Sequence, residues 1–247
     1  MPLMKLSAWA LLTLSLSLAG APLRIDHVTV CGPELAPMQA RLEKLGLHVE
    51  YGGPHANHVT EMAVASFPDG SYLELIAFQP HADPGAAEKH YWAKYMRGDV
   101  GPCAWAVRSD DVAAEAARMR AAGIEVSEPN KSGRTRPDGF RLDWETATVG
   151  SQAQGTLFPF LIRDITPRDK RAFPSGKPGN PDFAGITKVR IGVRNLEEAG
   201  SRFQKAYGPL DGTPVILVAE TGSREGVEAF GIQRAGSTDI LWIERPH

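Results

Sequence analysis

Three side chains early in the chain have the types and spacing to hold a divalent ion or pass a proton. They are His27 in the run Arg24–Cys31, His55 in Gly52-Gly53-Pro54-His55, and Glu74 in Tyr72-Leu73-Glu74-Leu75. Two imidazoles and a carboxylate form a donor set that suits Fe, Mn, Zn or Ni and leaves coordination positions for a substrate oxygen. A bound ion of that kind polarises a carbonyl or stabilises an enolate. The alternative is metal-free: His27 and Glu74 hydrogen-bond each other or a ligand and serve as acid and base. His55 or His58 is the third ligand, or His55 a proton shuttle, in these readings, and His55 is a solvated loop histidine otherwise. The glycines before it permit close backbone approach.

Fewer signals surround this trio. Tyr72 and Trp144 are candidate apolar walls for a substrate site, and core packing explains them equally well. On a later strand Lys188, Arg190 and Arg194 alternate with Val189, Ile191 and Val193. Facing a cavity, Arg190 would clamp a substrate carboxylate; facing solvent, it is the polar side of an edge strand. His58 begins a strand, and His48, His81 and His90 lack companions at ligand spacing, so these four are read as surface or helix-packing residues. The chain has no Gly-x-Ser-x-Gly nucleophile turn, phosphate-binding loop, Cys-x-x-Cys pair or dinucleotide fingerprint.

The elements needed to position the trio repeat along the chain as βαβββ units. The first unit reads as strand 23–31, helix 33–45 and strands 47–51, 58–67 and 71–78. The second reads as strand 102–108, helix 110–122 and strands 124–128, 140–148 and 156–164. A third follows as strand 186–194, helix 196–207 and strands 215–219, 227–234 and 239–244. Ser109-Asp110 and Asn195 are the expected helix caps. An extra helical segment, 85–96, separates the first two units. A Pro/Gly/Lys-rich stretch, 166–182, is too polar and broken to expect a packed element. Strand alternation puts Ile25, His27, Thr29 and Cys31 on one face and Val28 and Val30 on the other. In the same way Tyr72, Glu74 and Ile76 oppose Leu73 and Leu75. If the Val and Leu faces meet the helices, His27 and Glu74 look into the opposite, concave side.

Strand-borne His27, Leu45-Gly46 at a helix end, and Ser71-Tyr72-Leu73-Glu74-Leu75-Ile76 in repeated units resemble the vicinal oxygen chelate superfamily, and within it the glyoxalase-like domains. Ile25-Asp26-His27-Val28 resembles the opening strand, and Gly52-Gly53-Pro54-His55 with Thr60 the Gly-Gly-x-His…Thr segment. Arg136-Pro137-Asp138-Gly139, Trp144 and Phe158-Pro159-Phe160-Leu161-Ile162 resemble the second half. The resemblance implies an α+β fold in which βαβββ modules form a curved, partly open mixed sheet, with a ligand or metal in the cup. Aligned on the first module, the second has Ala104 where His27 stands and Pro159 near the place of Glu74. It therefore offers no metal ligands, and Met62 replaces an expected polar residue. Any divalent ion leans on the first module, and a site without a metal is the alternative.

Bulk properties set the remaining expectations. A hydrophobic content of 43%, a charged content of 23% and a net charge of −2 suit a soluble globular chain and give no footprint for nucleic acid. Lys5, the apolar run 6–18 and small residues after it read as a secretory signal, cut after residue 19 or 21, and too short and polar for a stable membrane span. Export to a periplasm or the medium follows. Cys31 and Cys103 are in oxidising surroundings if exported and could pair; two separately buried thiols are the plainer expectation. The organisation is a signal over 1–21, paired modules over 22–165, a connector over 166–185 and a shorter third module over 186–247. The function expected is an exported enzyme acting on a small oxygenated substrate by isomerase, lyase or ring-opening chemistry, with a homodimer as one assembly. The alternative is a non-enzymatic small-molecule binding protein on the same fold.

Overall fold

The structure, a computed structural model, describes residues 23–98, 100–220 and 224–246. The expected signal sequence lies outside the described residues. The first unit comprises β1 (Ile25–Cys31), α1 (Leu35–Glu43), β2 (Glu50–Pro54), β3 (Thr60–Ser66) and β4 (Tyr72–Phe78). Two short helices follow, α2 (Pro84–Lys89) and α3 (Ala93–Met96), broken at His90. The second unit is β5 (Gly101–Arg108), α4 (Val112–Ala121), β6 (Asn130–Thr135), β7 (Arg141–Ala147) and β8 (Phe160–Asp164). After α5 (Arg168–Ala172) the third unit runs β9 (Phe183–Val193), α6 (Leu196–Tyr207), β10 (Val215–Ala219), β11 (Gly226–Arg234) and β12 (Ile240–Glu244).

Strands of the first two units build one eight-stranded mixed sheet, ordered β2-β3-β4-β1-β5-β8-β7-β6. The first strand of each of these units pairs in parallel with the last, β1 with β4 and β5 with β8, while β1 and β5 join the halves antiparallel. The third unit forms a separate four-stranded sheet, β10-β9-β11-β12. One continuous apolar core lies behind the large sheet. It joins Val28, Leu73, Trp105 and Leu161 to the helix residues Met38, Ala116 and Met119 and to Val189, Phe203 and Phe230 of the third unit. The opposite face of the large sheet is left concave.

The large sheet nearly closes on itself. Its edge strands β2 and β6 meet where the Arg134 guanidinium donates a short hydrogen bond from Nη1 to the Gly52 carbonyl. A Cβ at the neighbouring Gly53 would stand 3.0 Å from Pro137, so a larger residue there would push the two edges apart.

Five local expectations are corrected. Strict alternation fails at the start of β1, where a register shift between Ile25 and His27 sends Ile25 into the apolar core with Val28. The strand expected at 124–128 is a single bridge, Val126–Val149, and the ladder strand is the polar run of β6. The Arg120 guanidinium takes the Val126 and Ser127 carbonyls at 2.9 and 2.6 Å, which occupies groups a ladder would need. The cap of α4 is Asp111, accepting from the Ala114 N–H at 3.0 Å, and not Ser109 or Asp110. The connector does pack an element: α5 carries Arg171, 4% exposed, and Asn180 bridges the Ser66 carbonyl to the backbone of His48. Cys31 and Cys103 are joined as a disulfide between β1 and β5 rather than buried as free thiols.

Candidate functional site

The concave face encloses a cavity of about 350 Å³. Parallel pairing of β1 with β4 sets His27 beside Tyr72 and Thr29 beside Glu74, so the first and last strands of the unit turn these four side chains to the same side. The turn from β2 to β3 brings His55 over them. The result is one carboxylate between two imidazoles: His27 Nε2 is 3.7 Å from Glu74 Oε2, and His55 Nε2 is 3.7 Å from Glu74 Oε1.

Each member is held from behind. Asp26 Oδ1 lies 2.6 Å from His27 Nδ1. An ionised carboxylate only accepts, so this contact keeps the proton on Nδ1 and leaves Nε2 with its lone pair toward the cavity. His27 is further fixed by stacking on Tyr72, with ring centroids 4.9 Å apart. His55 Nδ1 is engaged by the Thr60 hydroxyl at 2.8 Å, and Thr60 in turn is held by Asn57. The Thr29 hydroxyl donates to Glu74 Oε2 at 3.1 Å. Glu74 Oε1 accepts no hydrogen bond among the described residues.

Below this layer lies a buried charge network that the sequence reading misses. Arg171 donates to Asp26 Oδ2 at 2.8 Å and to the Tyr72 hydroxyl at 2.6 Å, and pairs with Asp164. Arg168 also pairs with Asp26. Burial by itself would raise the Asp26 carboxyl, but Arg171, then Arg168 and His27, outweigh it and hold it well below the usual carboxylate range. Asp26 therefore stays ionised and keeps the His27 tautomer fixed. Burial lowers His55, Glu74 pulls the other way and Arg134 adds to the lowering, so the imidazole is neutral at pH 7.

The remaining wall residues divide by their placement. Tyr72 and Trp144 line the cavity as expected of walls, with Phe160, Ile162 and Met62. Phe160, rather than Pro159, is the β8 residue that looks into the cup, and its ring stands edge-on to His27. Arg190 does not line the cavity. It lies in the second sheet, paired with Glu244 at 3.1 Å and over the Trp242 ring. His90, read as a surface or packing residue, borders the cavity at the α2–α3 break. Its pKa falls to about 4 through burial, with His55 adding and Glu74 opposing. Asp26, Arg134 and Arg171 are the other residues missed. Adjacency of Asp26 to His27 was a usable signal, but alternation assigns neighbours to opposite faces and only the bulge reunites them.

The donor set fits a divalent ion in kind. Each histidine has one ring nitrogen engaged by a neighbour and the other directed at the carboxylate, the arrangement common to metal-bound histidines. The spacing is open: at 3.7 Å the pairs are wider than hydrogen bonds, and among the described residues no group of three His, Cys, Asp or Glu stands ready to hold an ion without adjustment.

A nearly closed mixed sheet of paired βαβββ units around a His- and Glu-lined cup is the vicinal oxygen chelate fold. The family model for the glyoxalase-like domain matches residues 25–207, and the chain belongs to that family. Among solved structures, a hypothetical protein from Staphylococcus aureus is similar with a TM-score of 0.61 and 15% identity, over 90% of this chain and 86% of that one. A xylose isomerase-like TIM barrel/4-hydroxyphenylpyruvate dioxygenase fusion protein matches with a TM-score of 0.50 and 14% identity, over 85% of this chain and 36% of that one. At these identities the likeness concerns the fold alone. No curated protein matched.

Proposed function

We propose that this chain is an enzyme that binds a small oxygenated molecule in the cup and moves a proton at the carbon beside its carbonyl, as in isomerase, epimerase or lyase chemistry. One observation carries the reading: two histidines, each with Nδ1 engaged by a neighbour, point Nε2 at the two oxygens of Glu74 inside one cavity. His27, His55 and Glu74 would hold a divalent ion there, and such an ion when bound polarises the substrate carbonyl. Glu74 is the group placed to take the proton and return it. Thr29 holds Oε2, while Oε1 is the oxygen with no hydrogen-bond donor on it among the described residues. Phe160, Ile162 and Trp144 supply the apolar wall that excludes water.

The test combines metal analysis with solvent exchange. Protein from an export-competent host is assayed for Fe, Mn, Zn and Ni, then incubated in D2O with dihydroxyacetone and with 2-oxobutanoate. Expected are one bound ion, lost in His27→Ala and Glu74→Ala, and deuterium at the carbon beside the carbonyl, slowed on the order of 10²-fold or more in Glu74→Gln. Absence of both ion and exchange, in a protein whose ligand binding survives the double substitution, would support the binding-module alternative instead.

We also propose that the chain is exported. The disulfide supports this, since such bonds persist in oxidising compartments, and the basic-apolar-small sequence of the first residues supports it as well. Intact mass of the protein from a periplasmic or culture fraction is expected to show loss of the first 19 or 21 residues; a full-length mass confined to the cytoplasm would refute export.

A further inference from the structure

The cavity wall holds a buried arginine that the chemistry above does not use. Arg134 is 3% exposed, lines the same cavity as Glu74 and His55, and has one hydrogen bond among the described residues, from Nη1 to the Gly52 carbonyl. No carboxylate of a described residue pairs with it. Arg171, the other deeply buried arginine of the site, has by contrast a partner on each of its three nitrogens, in Asp164, Tyr72 and Asp26. A guanidinium has five N–H donors, and a buried charge without a counter-charge is costly. Among the described residues, the side-chain polar atoms sealed from solvent without partners are Arg108 Nε, Arg163 Nε and Thr187 Oγ1. The spare Nε and Nη2 groups of Arg134 are not among them, so they are not sealed within the protein; the residue borders the cup and also the groove beside Gly52, Arg136 and Pro174.

We propose that Arg134 is the anion clamp of this site and that the substrate is a small monocarboxylate whose carbonyl or hydroxyl oxygen reaches the His27–His55–Glu74 group. The inference rests on the reading of the cavity as the substrate site. Three observations select the class. The groups left free by the Gly52 bond, Nε and Nη2, form the planar edge that binds a carboxylate side-on with two parallel hydrogen bonds. Arg171 is already engaged by Asp26 and Asp164, so Arg134 is the guanidinium of this cavity with hydrogen-bond donors to spare among the described residues. The Glu74 carboxylate faces the same space and would repel a second charge, which disfavours a phosphate dianion. Arg134 thus takes the place proposed from sequence for Arg190. It sits on β6 where that strand meets β2 at Gly52, close enough for His55 and Glu74 to feel its charge, so one small ligand could reach both it and the His/Glu group.

The test uses the full mature protein and acetate, acetamide and inorganic phosphate as probes. The Arg134 Nε–H resonance, assigned from its loss in Arg134→Lys, is followed by NMR during each titration. Acetate is expected to shift it saturably and to bind about 10- to 100-fold more tightly than acetamide, the range of a charge-assisted hydrogen bond. Arg134→Gln, followed through the indole N–H of Trp144 on the cavity wall, should remove that preference. The wild-type comparison of acetate with acetamide stands alone if either variant misfolds, with the resonance then assigned by selective arginine labelling. No acetate-dependent shift, or equal binding of acetate and acetamide, overturns the proposal, as does tighter binding of phosphate than acetate. Deuterium exchange into dihydroxyacetone without any acetate shift would sink the clamp and leave the proton-transfer reading standing. Acetate binding without exchange on any substrate would do the reverse.

Discussion

At the scale of single residues, the site depends on which nitrogen of each histidine is free. Asp26 settles that for His27 by accepting from Nδ1, and the Thr60 hydroxyl engages Nδ1 of His55. Asp26→Asn can present its amide nitrogen to His27 and loses the fixed negative charge, so it should weaken divalent-ion affinity by about 10- to 100-fold, the usual cost of losing such a supporting partner. Competition with a chelating dye measures this, and unchanged affinity would remove Asp26 from the ligand's support. A pH effect follows from the histidines of the cavity. His90 is lowered to about 4 and His55 is lowered too, so between the unfolded value near 6.5 and the folded value the unfolded chain binds more protons. Their contribution to stability is complete above about pH 6.5 and is lost as pH falls toward 4. The melting temperature should drop over that window, and His90→Phe should flatten the drop; the same slope in that variant would contradict the assignment.

At the scale of elements, α5 matters more than its five residues suggest. It brings Arg168 and Arg171 under the cup, where they neutralise Asp26 and Asp164. Removing one member of a buried ion pair strands its partner's charge, at a cost of about 3–5 kcal/mol. Arg171→Met is therefore expected to lose roughly that much in urea unfolding, and a loss under about 1 kcal/mol would show the network to be slack. The helix was not readable from the sequence because its composition resembles a solvated linker. Charge normally marks exposure, and only the opposing carboxylates, Asp26 at 142 and 145 residues' separation, make burial tolerable. The polar strand β6 escaped for a related reason: Asn-Lys-Ser-Gly-Arg-Thr has little strand propensity, and pairing with β7 overrides it.

At the scale of the whole molecule, the Cys31–Cys103 bridge ties the first two units together across a sequence separation of 72. In the chain-entropy model a loop of that length is worth about 4 kcal/mol. Reduction with a thiol, or Cys31→Ala with Cys103→Ala, should lower the unfolding free energy by about that amount, with cavity binding retained where folding persists. A change of less than about 1 kcal/mol would argue that the packed β1–β5 pair already supplies the constraint.

Hydrophobic alternation and repeated βαβββ spacing place most strands and put His27 and Glu74 each opposite an apolar face, because period-2 burial is written locally along each strand; that the apolar faces meet the helices had to be assumed. The sequence by itself also marked His55, through the glycines and Thr60 around it, and the motif order pointed to the family whose model matches residues 25–207. What tertiary structure alone decided is the electrostatic frame: Asp26 turned to His27 by a bulge, Arg171 delivered from a distant linker, Arg134 brought to the cup where β6 meets β2, and Arg190 placed in another sheet. Whether a charge is paired depends on groups far apart in the chain, and no local pattern records that distance.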